Sequence, residues 1–284
     1  MELDACKTCG AVWFDPQEFE SVPEGAPESA NELHARGAEA TAMFRLEQLK
    51  RQRRREALAN ESGEPPDEAW KTIPAIFGFP VETDAEPISR WPLATWSVSA
   101  FILLVSVFAF VDLEAAVLKF GMIPAEWWRY GGLTLLTSFF LHGGILHLVG
   151  NLYFLLIFSD NVEDYLGRCR YLLLILASTV VGDMVHILAD PSSTIPCIGA
   201  SGGISGVIVF YALKFPHARL GFLFMYYFRI RWLQIPAWGA LVLWLMLQSV
   251  GVFEQLSGYS NVAATAHLGG AGVGFVVWFI WRKR

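Results

Sequence analysis

The chain has 284 residues, 54% of them hydrophobic, and a mean hydropathy of +0.41. This apolar surplus exceeds what a soluble domain of this length usually carries, so much of the chain is expected to face lipid. The net charge of −6 is the sum over a charged region, residues 1–90, and a membrane region with few charges. It gives no reason to expect a nucleic-acid partner. The first residues are charged and lack the apolar run of a signal peptide, so no cleavable signal is expected.

Residues 1–28 are predicted to form a partial zinc-ribbon-like segment. Cys6 and Cys9 make a CxxC pair, and closely spaced thiolates of this kind commonly supply half of a tetrahedral zinc site. No second CxxC precedes them, so zinc is expected here only if ligands outside this chain complete the site. Two alternatives stay open, namely a true start upstream of residue 1 and a degenerate remnant without metal.

Residues 29–59 are predicted to form a cytoplasmic, basic, amphipathic helix. Ser29 and Glu32 make a capping box, and the helix ends in a cluster of Lys and Arg over residues 50–55. Such a cluster can bind anionic headgroups or nucleic acid, but a solvated helix face is the simpler interpretation. Residues 60–90 contain five prolines and are predicted to be an irregular linker.

The fold predicted for residues 91–284 is an all-α, polytopic membrane bundle of six helices. About 20 apolar residues are needed to cross the bilayer core as a helix. An even number of spans puts both termini on one side, and the basic residues of the loops place that side in the cytoplasm. A plasma membrane is the expected address of such a bundle. The predicted spans are residues 91–111, 145–165, 171–189, 201–213, 233–252 and 261–281.

Ser201 is the candidate nucleophile of this region. It lies in the string Gly199-Ala-Ser-Gly202, whose small residues allow a serine hydroxyl at the junction of an outer loop and a helix. Free N–H groups in the first turn of a helix can stabilise a developing oxyanion. A GxSG string is also common as a packing device between membrane helices, so this motif alone does not decide the function.

His267, in the last predicted span, is the candidate base. A neutral histidine is the usual group that turns a serine hydroxyl into a nucleophile. Gly270 and Gly274 lie on the same side of that helix, and the fourth span carries a pair of glycines that begins at Gly202. Small faces on two helices allow close backbone contact, which is expected to bring Ser201 within hydrogen-bond reach of His267. The alternative is a buried histidine that bonds a neighbouring carbonyl.

His147 and Asn151 are the candidate donors for a substrate oxygen. They are four residues apart in the second span and therefore share one helix face. Two donors aimed together can hold a carbonyl oxygen as it gains negative charge. Three such polar elements within one nearly uncharged region are hard to explain by packing alone.

These motifs together resemble the rhomboid proteases in order and spacing across residues 91–284. The residues that carry the resemblance are Trp127, Trp128 and Arg129, then His142, His147 and Asn151, Glu163 with Leu166 and Gly167, the string from Gly199 to Gly202, and Ala266 and His267 with Gly270 and Gly274.

The resemblance implies a Ser201–His267 dyad without a third, acidic member. It also implies an oxyanion and substrate-binding site made by His147, Asn151 and the Ser201 amide beside Gly199. Structural roles follow by the same resemblance for His142, Glu163, Trp128, Arg129, Gly202, Gly270 and Gly274. Among these, Glu163 is expected to brace the first outer loop, and Trp127 to Arg129 are expected to shape it.

One position departs from the pattern. Some members of the family carry an aromatic residue four positions after the nucleophile, where it stacks on the catalytic histidine, whereas this chain has Ser205. Ser205 also lies in a second GxSG-like string. Ser201 is the preferred nucleophile because it is one helical turn closer to the outer surface, where water and substrate arrive.

The expected function is intramembrane serine endopeptidase activity on single-span membrane proteins, by an acyl-enzyme and with no metal or organic cofactor. The expected partners are these substrates and the lipid bilayer. The main alternative is a non-catalytic member of the same fold that binds membrane clients. A transporter that moves protons along buried histidines is a second alternative, but the two halves of the chain share no repeat.

Overall fold

The computed structural model describes residues 4–5, 12–13, 43, 45, 48–49, 69–83, 88–226 and 229–282. The chain divides into two compact units, Met1–Ser62 and Gly63–Arg284. In the first unit, β1 (Asp4–Ala5) pairs in antiparallel fashion with β2 (Val12–Trp13). Cys6, Cys9 and most of the helix predicted for residues 29–59 lie outside the described residues.

The second unit contains a three-stranded antiparallel sheet that the sequence did not predict. Its order is β3 (Val81–Glu82), β4 (Arg219–Tyr226) and β5 (Arg229–Pro236), and α1 (Ala69–Ile76) precedes it. Part of the segment predicted as an irregular linker is therefore ordered.

The physical reason for this difference is tertiary packing. Ala75 and Val81 are buried with Trp232 in one small apolar cluster, and this burial outweighs the signal from the prolines. Pro80 directly precedes β3, a position where its missing N–H removes no ladder bond. The Glu82 side chain also accepts a hydrogen bond from the hydroxyl of Tyr211, which ties the sheet to the helical bundle.

Six apolar helices occupy the six predicted spans, so the predicted helical membrane bundle is confirmed. The first is α2 (Leu93–Ala109), and the outer loop after it contains α3 (Leu113–Phe120) and the four-residue α4 (Thr134–Thr137). Four of the helices described here are long and apolar enough to cross a membrane alone, and α2 qualifies jointly with α3, to which it is bent by 120°. The other five helices of the bundle are α5 (Ile145–Leu166), α6 (Arg168–Ala189), α7 (Ser201–Lys214), α8 (Ala237–Leu256) and α9 (Ala264–Trp281).

Helices α7 and α9 pack through their glycines. A Cβ atom added to Gly270 would collide with the carbonyl oxygen of Gly202, and one added to Gly274 would collide with the carbonyl oxygen of Gly206. The two backbones therefore touch directly, as glycine pairs in membrane helices allow. The close approach predicted from these four glycines is confirmed.

Helix α7 is too short to cross the bilayer. Its 14 residues extend over roughly 21 Å, whereas the hydrocarbon core is about 30 Å thick. Lys214 is in its last turn, where a basic side chain suits the inner surface. With that end at the inner surface, Ser201 at the other end lies below the outer surface, within the thickness of the membrane.

Candidate active site

Ser201 is the first residue of α7, and the segment before it is held in place by backbone hydrogen bonds. The Gly199 N–H donates to the carbonyl of Ser138 at 3.0 Å. Cys197 and Met122 exchange two backbone hydrogen bonds of 2.7 and 3.1 Å, so the outer loop and this segment form a short antiparallel bridge. Gly199 has a φ of +123°, a backbone conformation that residues other than glycine rarely adopt. The loop therefore presents the serine at a fixed place.

Ser201 and His267 form a direct hydrogen bond. The Ser201 Oγ lies 2.8 Å from the His267 Nε2, and both residues are half-buried. The other ring nitrogen of His267, Nδ1, lies 2.7 Å from the Oε1 of Gln248 on α8. An amide oxygen only accepts hydrogen bonds, so Nδ1 carries the proton and Nε2 accepts from the serine hydroxyl. This is the arrangement in which a histidine can act as a base toward a serine.

The sequence interpretation missed Gln248. A polar side chain in the middle of an apolar span is costly to hold in lipid and is by that fact a question about function. That signal was available in the sequence, since Gln248 lies within Leu-Met-Leu-Gln-Ser-Val. The sequence does not show which residue Gln248 contacts, because its partner His267 is 19 residues away on another helix.

His147 points a donor toward the space beside Ser201. Its Nδ1 accepts the backbone N–H of Gly143 at 3.3 Å, so the ring proton is on Nε2. A Cβ atom added to Gly199 would lie 2.9 Å from this Nε2 and 3.8 Å from the Ser201 Oγ. The absence of a side chain at residue 199 therefore leaves room for the imidazole next to the serine.

Asn151 and His142 support His147 from two sides. The Asn151 amide donates to the carbonyl oxygen of His147 at 3.0 Å, one helical turn back. His142 is fully buried, and its ring meets that of His147 edge to face at 5.0 Å between centroids. Its Nδ1 lies 3.0 Å from the hydroxyl of Ser106, which itself donates to the Phe140 carbonyl. The contact with Ser106 thus holds the His142 ring in place against the ring of His147.

Trp128 and Arg129 lie in the outer loop. The guanidinium of Arg129 donates to the carbonyl oxygens of Leu118 and Gly121, each at 2.8 Å, and so closes the end of α3. Trp128 packs edge to face against Trp127 with 5.1 Å between ring centroids. The expected role of this stretch in shaping the loop stays a prediction.

The expected role of Glu163 in the first outer loop is wrong. Glu163 is buried near the end of α5, about 27 Å along the helix from its outer end at 1.5 Å per residue. Its carboxylate accepts from the backbone N–H groups of Ala94 and Thr95 at 3.0 and 2.7 Å, and from the Thr95 hydroxyl at 2.8 Å. It also lies 3.6 Å from Arg168. Glu163 therefore caps the start of α2 at the inner end of the bundle.

Ser205, the alternative serine, is buried within α7. Its hydroxyl donates to the carbonyl oxygen of Ser201 at 2.7 Å, which is a bond within the helix. It is not among the hydrogen-bonding partners described for His267. Of the two GxSG-like strings, the structure therefore brings only the first to a histidine.

Among the residues that the structure describes, no group of three or more His, Cys, Asp or Glu side chains is arranged to hold a metal ion. Cys6 and Cys9 lie outside those residues, so the half-site predicted for zinc stays a prediction.

Comparison with known proteins relates this chain to one family. A family model of the Rhomboid domain matches residues 124–284, more than half of the chain. A presenilin-associated rhomboid-like protein A, mitochondrial, from Danio rerio is 32% identical over 161 residues, which cover 54% of this chain and 39% of that protein. RHOMBOID-like protein 12, mitochondrial, from Arabidopsis thaliana is 29% identical over 180 residues, 57% of this chain and 50% of the relative. Putative rhomboid protease YdcA from Bacillus subtilis is 33% identical over 91 residues, 32% of this chain and 43% of the relative.

The chain thus spans half or less of the length of these relatives. Their names also correct one expectation from the sequence. The plasma membrane, with the termini in the cytoplasm, is contradicted as the address because several of the similar proteins are named as mitochondrial. The distribution of basic residues in the loops distinguishes the two faces of a membrane but does not identify the membrane.

Proposed function

This chain belongs to the rhomboid family, and we propose that it is an intramembrane serine endopeptidase. The family acts on membrane proteins within the bilayer, and the proposed reaction is cleavage of a substrate's transmembrane segment near the outer face. The observation that carries the proposal is the hydrogen bond of 2.8 Å between the Ser201 Oγ and the His267 Nε2. A serine paired with a neutral imidazole is the minimal unit of nucleophilic acyl transfer.

The proposed mechanism begins when Ser201 Oγ attacks the carbonyl carbon of the substrate peptide bond. The proton of the hydroxyl passes to Nε2 of His267, which then gives it to the leaving amine as the peptide bond breaks. The resulting acyl-enzyme is an ester of Ser201. A water molecule, deprotonated by the same Nε2, attacks this ester and restores the serine hydroxyl. The reaction requires no metal or organic cofactor.

The negative charge that develops on the substrate oxygen needs donors in place before the reaction. We assign this role to the Nε2–H of His147, to Asn151 and to the Ser201 amide. The amide is in the first turn of α7, where backbone N–H groups have no acceptor within the helix and the positive end of the helix dipole lies. Gly199 contributes by leaving the space that the imidazole and the substrate occupy.

The proposed substrates are single-span membrane proteins. A stable transmembrane helix pairs its carbonyl groups internally, so the scissile bond has to lie in a segment that unwinds. Small or helix-breaking residues close to the outer face favour unwinding at the depth of Ser201. A single-span protein with such residues can present an extended peptide at the depth of Ser201.

The test is cleavage of a reporter that carries a destabilised transmembrane helix, in detergent and in liposomes. We expect the wild type and Ser205→Ala to cleave it, and Ser201→Ala and His267→Ala to be inactive. Each variant is first shown to unfold at the same temperature as the wild type. If the folded wild type cleaves none of several such reporters, the endopeptidase proposal fails and the non-catalytic, client-binding alternative replaces it.

Residues 1–28 carry a separate proposal. Cys6 and Cys9 bind zinc only when ligands outside this chain complete a four-coordinate site. The measurement is the zinc content of the protein with its natural partners, compared with that of Cys6→Ser. Zinc near zero in both samples would favour the degenerate, metal-free segment.

A further inference from the structure

We propose that Gln248 is a positioning residue for the base of the reaction, taking the place that a third member holds in a catalytic triad. The inference rests on the proposed endopeptidase function and extends it. The resemblance to the family implied a dyad without a third acidic member, and Gln248 is neutral. It acts on the substrate only through His267.

The first step is the chain of hydrogen bonds. The Oε1 of Gln248 is 2.7 Å from Nδ1 of His267, and Nε2 of the same ring is 2.8 Å from the Ser201 Oγ. The two contacts use opposite nitrogens of one ring. An acceptor at Nδ1 holds the proton there, which leaves the lone pair of Nε2 for the serine proton. Without the acceptor, nothing in this pair of contacts selects that tautomer.

The second step is the way in which α8 reaches the histidine. Half of the residues of α8 are exposed on the surface of the bundle, and of the others only Ala237 and Leu241, near its start, are fully buried. Farther along, α8 approaches α9 closely at Gly251, where an added Cβ would lie 3.1 Å from the Cβ of Ala264. Gly251 is one helical turn after Gln248, so the close approach brings the amide within reach of the imidazole.

The third step concerns Ser205, one helical turn after Ser201. In this chain Ser205 donates to the carbonyl of Ser201 and contributes no ring. The imidazole therefore needs its orientation from another element, and Gln248 supplies it from α8.

The chemical consequence concerns the step in which His267 becomes an imidazolium. Both ring nitrogens then carry a proton, and the Nδ1–H keeps its acceptor throughout. Because Gln248 touches neither the nucleophile nor the proposed oxyanion donors in the contacts described, its loss is expected to change the chemical step and not substrate binding. This separates kcat from KM.

Gln255 offers a matched control. It lies seven residues after Gln248 and therefore on the same face of α8. Its Oε1 accepts the backbone N–H of Thr265 at 3.0 Å, and its Nε2 lies 3.2 Å from Nδ1 of His186. It thus ties α8 to its neighbours as Gln248 does, but through different residues. A purely structural role of such a contact would be seen equally at both glutamines.

The experiment compares Gln248→Met, Gln248→Glu and Gln255→Met with the wild type, by reporter cleavage kinetics and by the rate of serine labelling with a fluorophosphonate. Methionine keeps the length of the side chain and removes the acceptor, whereas glutamate keeps an oxygen acceptor in either charge state. For Gln248→Met we expect kcat and the labelling rate to fall roughly 10- to 100-fold with KM unchanged. Gln248→Glu should retain most of the activity that methionine removes, and Gln255→Met should stay near the wild type.

Two results would overturn the inference while leaving the endopeptidase intact. One is a Gln248→Met variant with the kcat of the wild type, and the other is an equal loss in Gln248→Met and Gln255→Met. Thermal unfolding of each variant separates a folding defect from a defect in chemistry. A folded wild type that neither cleaves nor labels would instead end the proposed function, and the positioning role would end with it.

Discussion

Substitution of Gly270 by alanine tests how the fold sets the distance between Ser201 and His267. Gly270 is one helical turn after the histidine, and Gly202 directly follows the serine. An alanine Cβ at residue 270 would collide with the Gly202 carbonyl oxygen and would lie 2.9 Å from the carbonyl carbon. The colliding atoms belong to the backbone, so no side chain can rotate out of the way.

The size of the effect follows from this geometry. Non-bonded carbon atoms are in optimal contact at about 3.5–4.0 Å, so relief of the collision requires α7 and α9 to separate by roughly 1 Å. The distance from the Ser201 Oγ to the His267 Nε2, 2.8 Å in the structure, would then be about 3.8 Å, beyond hydrogen-bond range. A misplacement of roughly 1 Å in an active site can cost about 100-fold in rate. We therefore expect Gly270→Ala to lose cleavage by about that factor.

The assay is the initial rate of reporter cleavage in liposomes, with Gly272→Ala as the matched control. Gly272 is in the same helix, but no other described atom lies within 4 Å of an added Cβ there. Both variants gain about 1 kcal/mol in helix propensity, whereas only Gly270→Ala also suffers overpacking of about 1–3 kcal/mol. If Gly270→Ala cleaves as fast as Gly272→Ala, close backbone contact does not set the distance in the dyad.

Three further predictions concern single contacts. His147→Leu removes the donor beside Ser201 and should lower kcat about 100- to 1,000-fold, measured with the same reporter, whereas an unchanged kcat would exclude it from the oxyanion site. Glu163→Ala removes the buried carboxylate that caps α2 and should lower the free energy of unfolding. We expect a loss about 2–3 kcal/mol larger than for Asp164→Ala, which removes only an exposed hydrogen bond to Ser89. Equal losses in thermal unfolding would contradict this. Ser205→Ala removes one bond within a helix, and its cleavage rate should stay within about twofold of the wild type, since such back-bonding adds little to a helix.

The six helices could be predicted from the sequence because a membrane helix depends on the residues of one contiguous stretch. A long apolar run has few alternatives to a helix in a bilayer, and the glycine pairs indicate that α7 and α9 touch. The sheet at residues 219–236 was not predicted, because its strands pair with each other and with β3 from a distant part of the chain. The fifth predicted span began at 233 for the same reason, whereas α8 begins after Pro236.

The errors at the site also come from relations between distant residues. Ser201 and His267 were found because each lies in a local motif with a chemical meaning. Gln248 lies in no such motif, and one glutamine barely changes the hydropathy of the span around it. The role of Glu163 was taken from the resemblance, although its position near the end of α5 already placed it at the inner end of the bundle.

The hydrogen bond at the centre of the site depends on two quantities that different parts of the bundle control. Distance comes from α6, α7 and α9, in which small residues allow backbones to touch, and a packed backbone resists displacement. Orientation of the imidazole cannot come from those contacts, because glycine has no side chain with which to hold a ring. It has to come from a polar partner, and α8 provides one although it is the least buried of the four long helices. Of its most apolar 18-residue stretch 11% is buried, against 39% in each of the others. The position of α8 and the orientation of the base therefore depend on each other through the bond between Gln248 and His267.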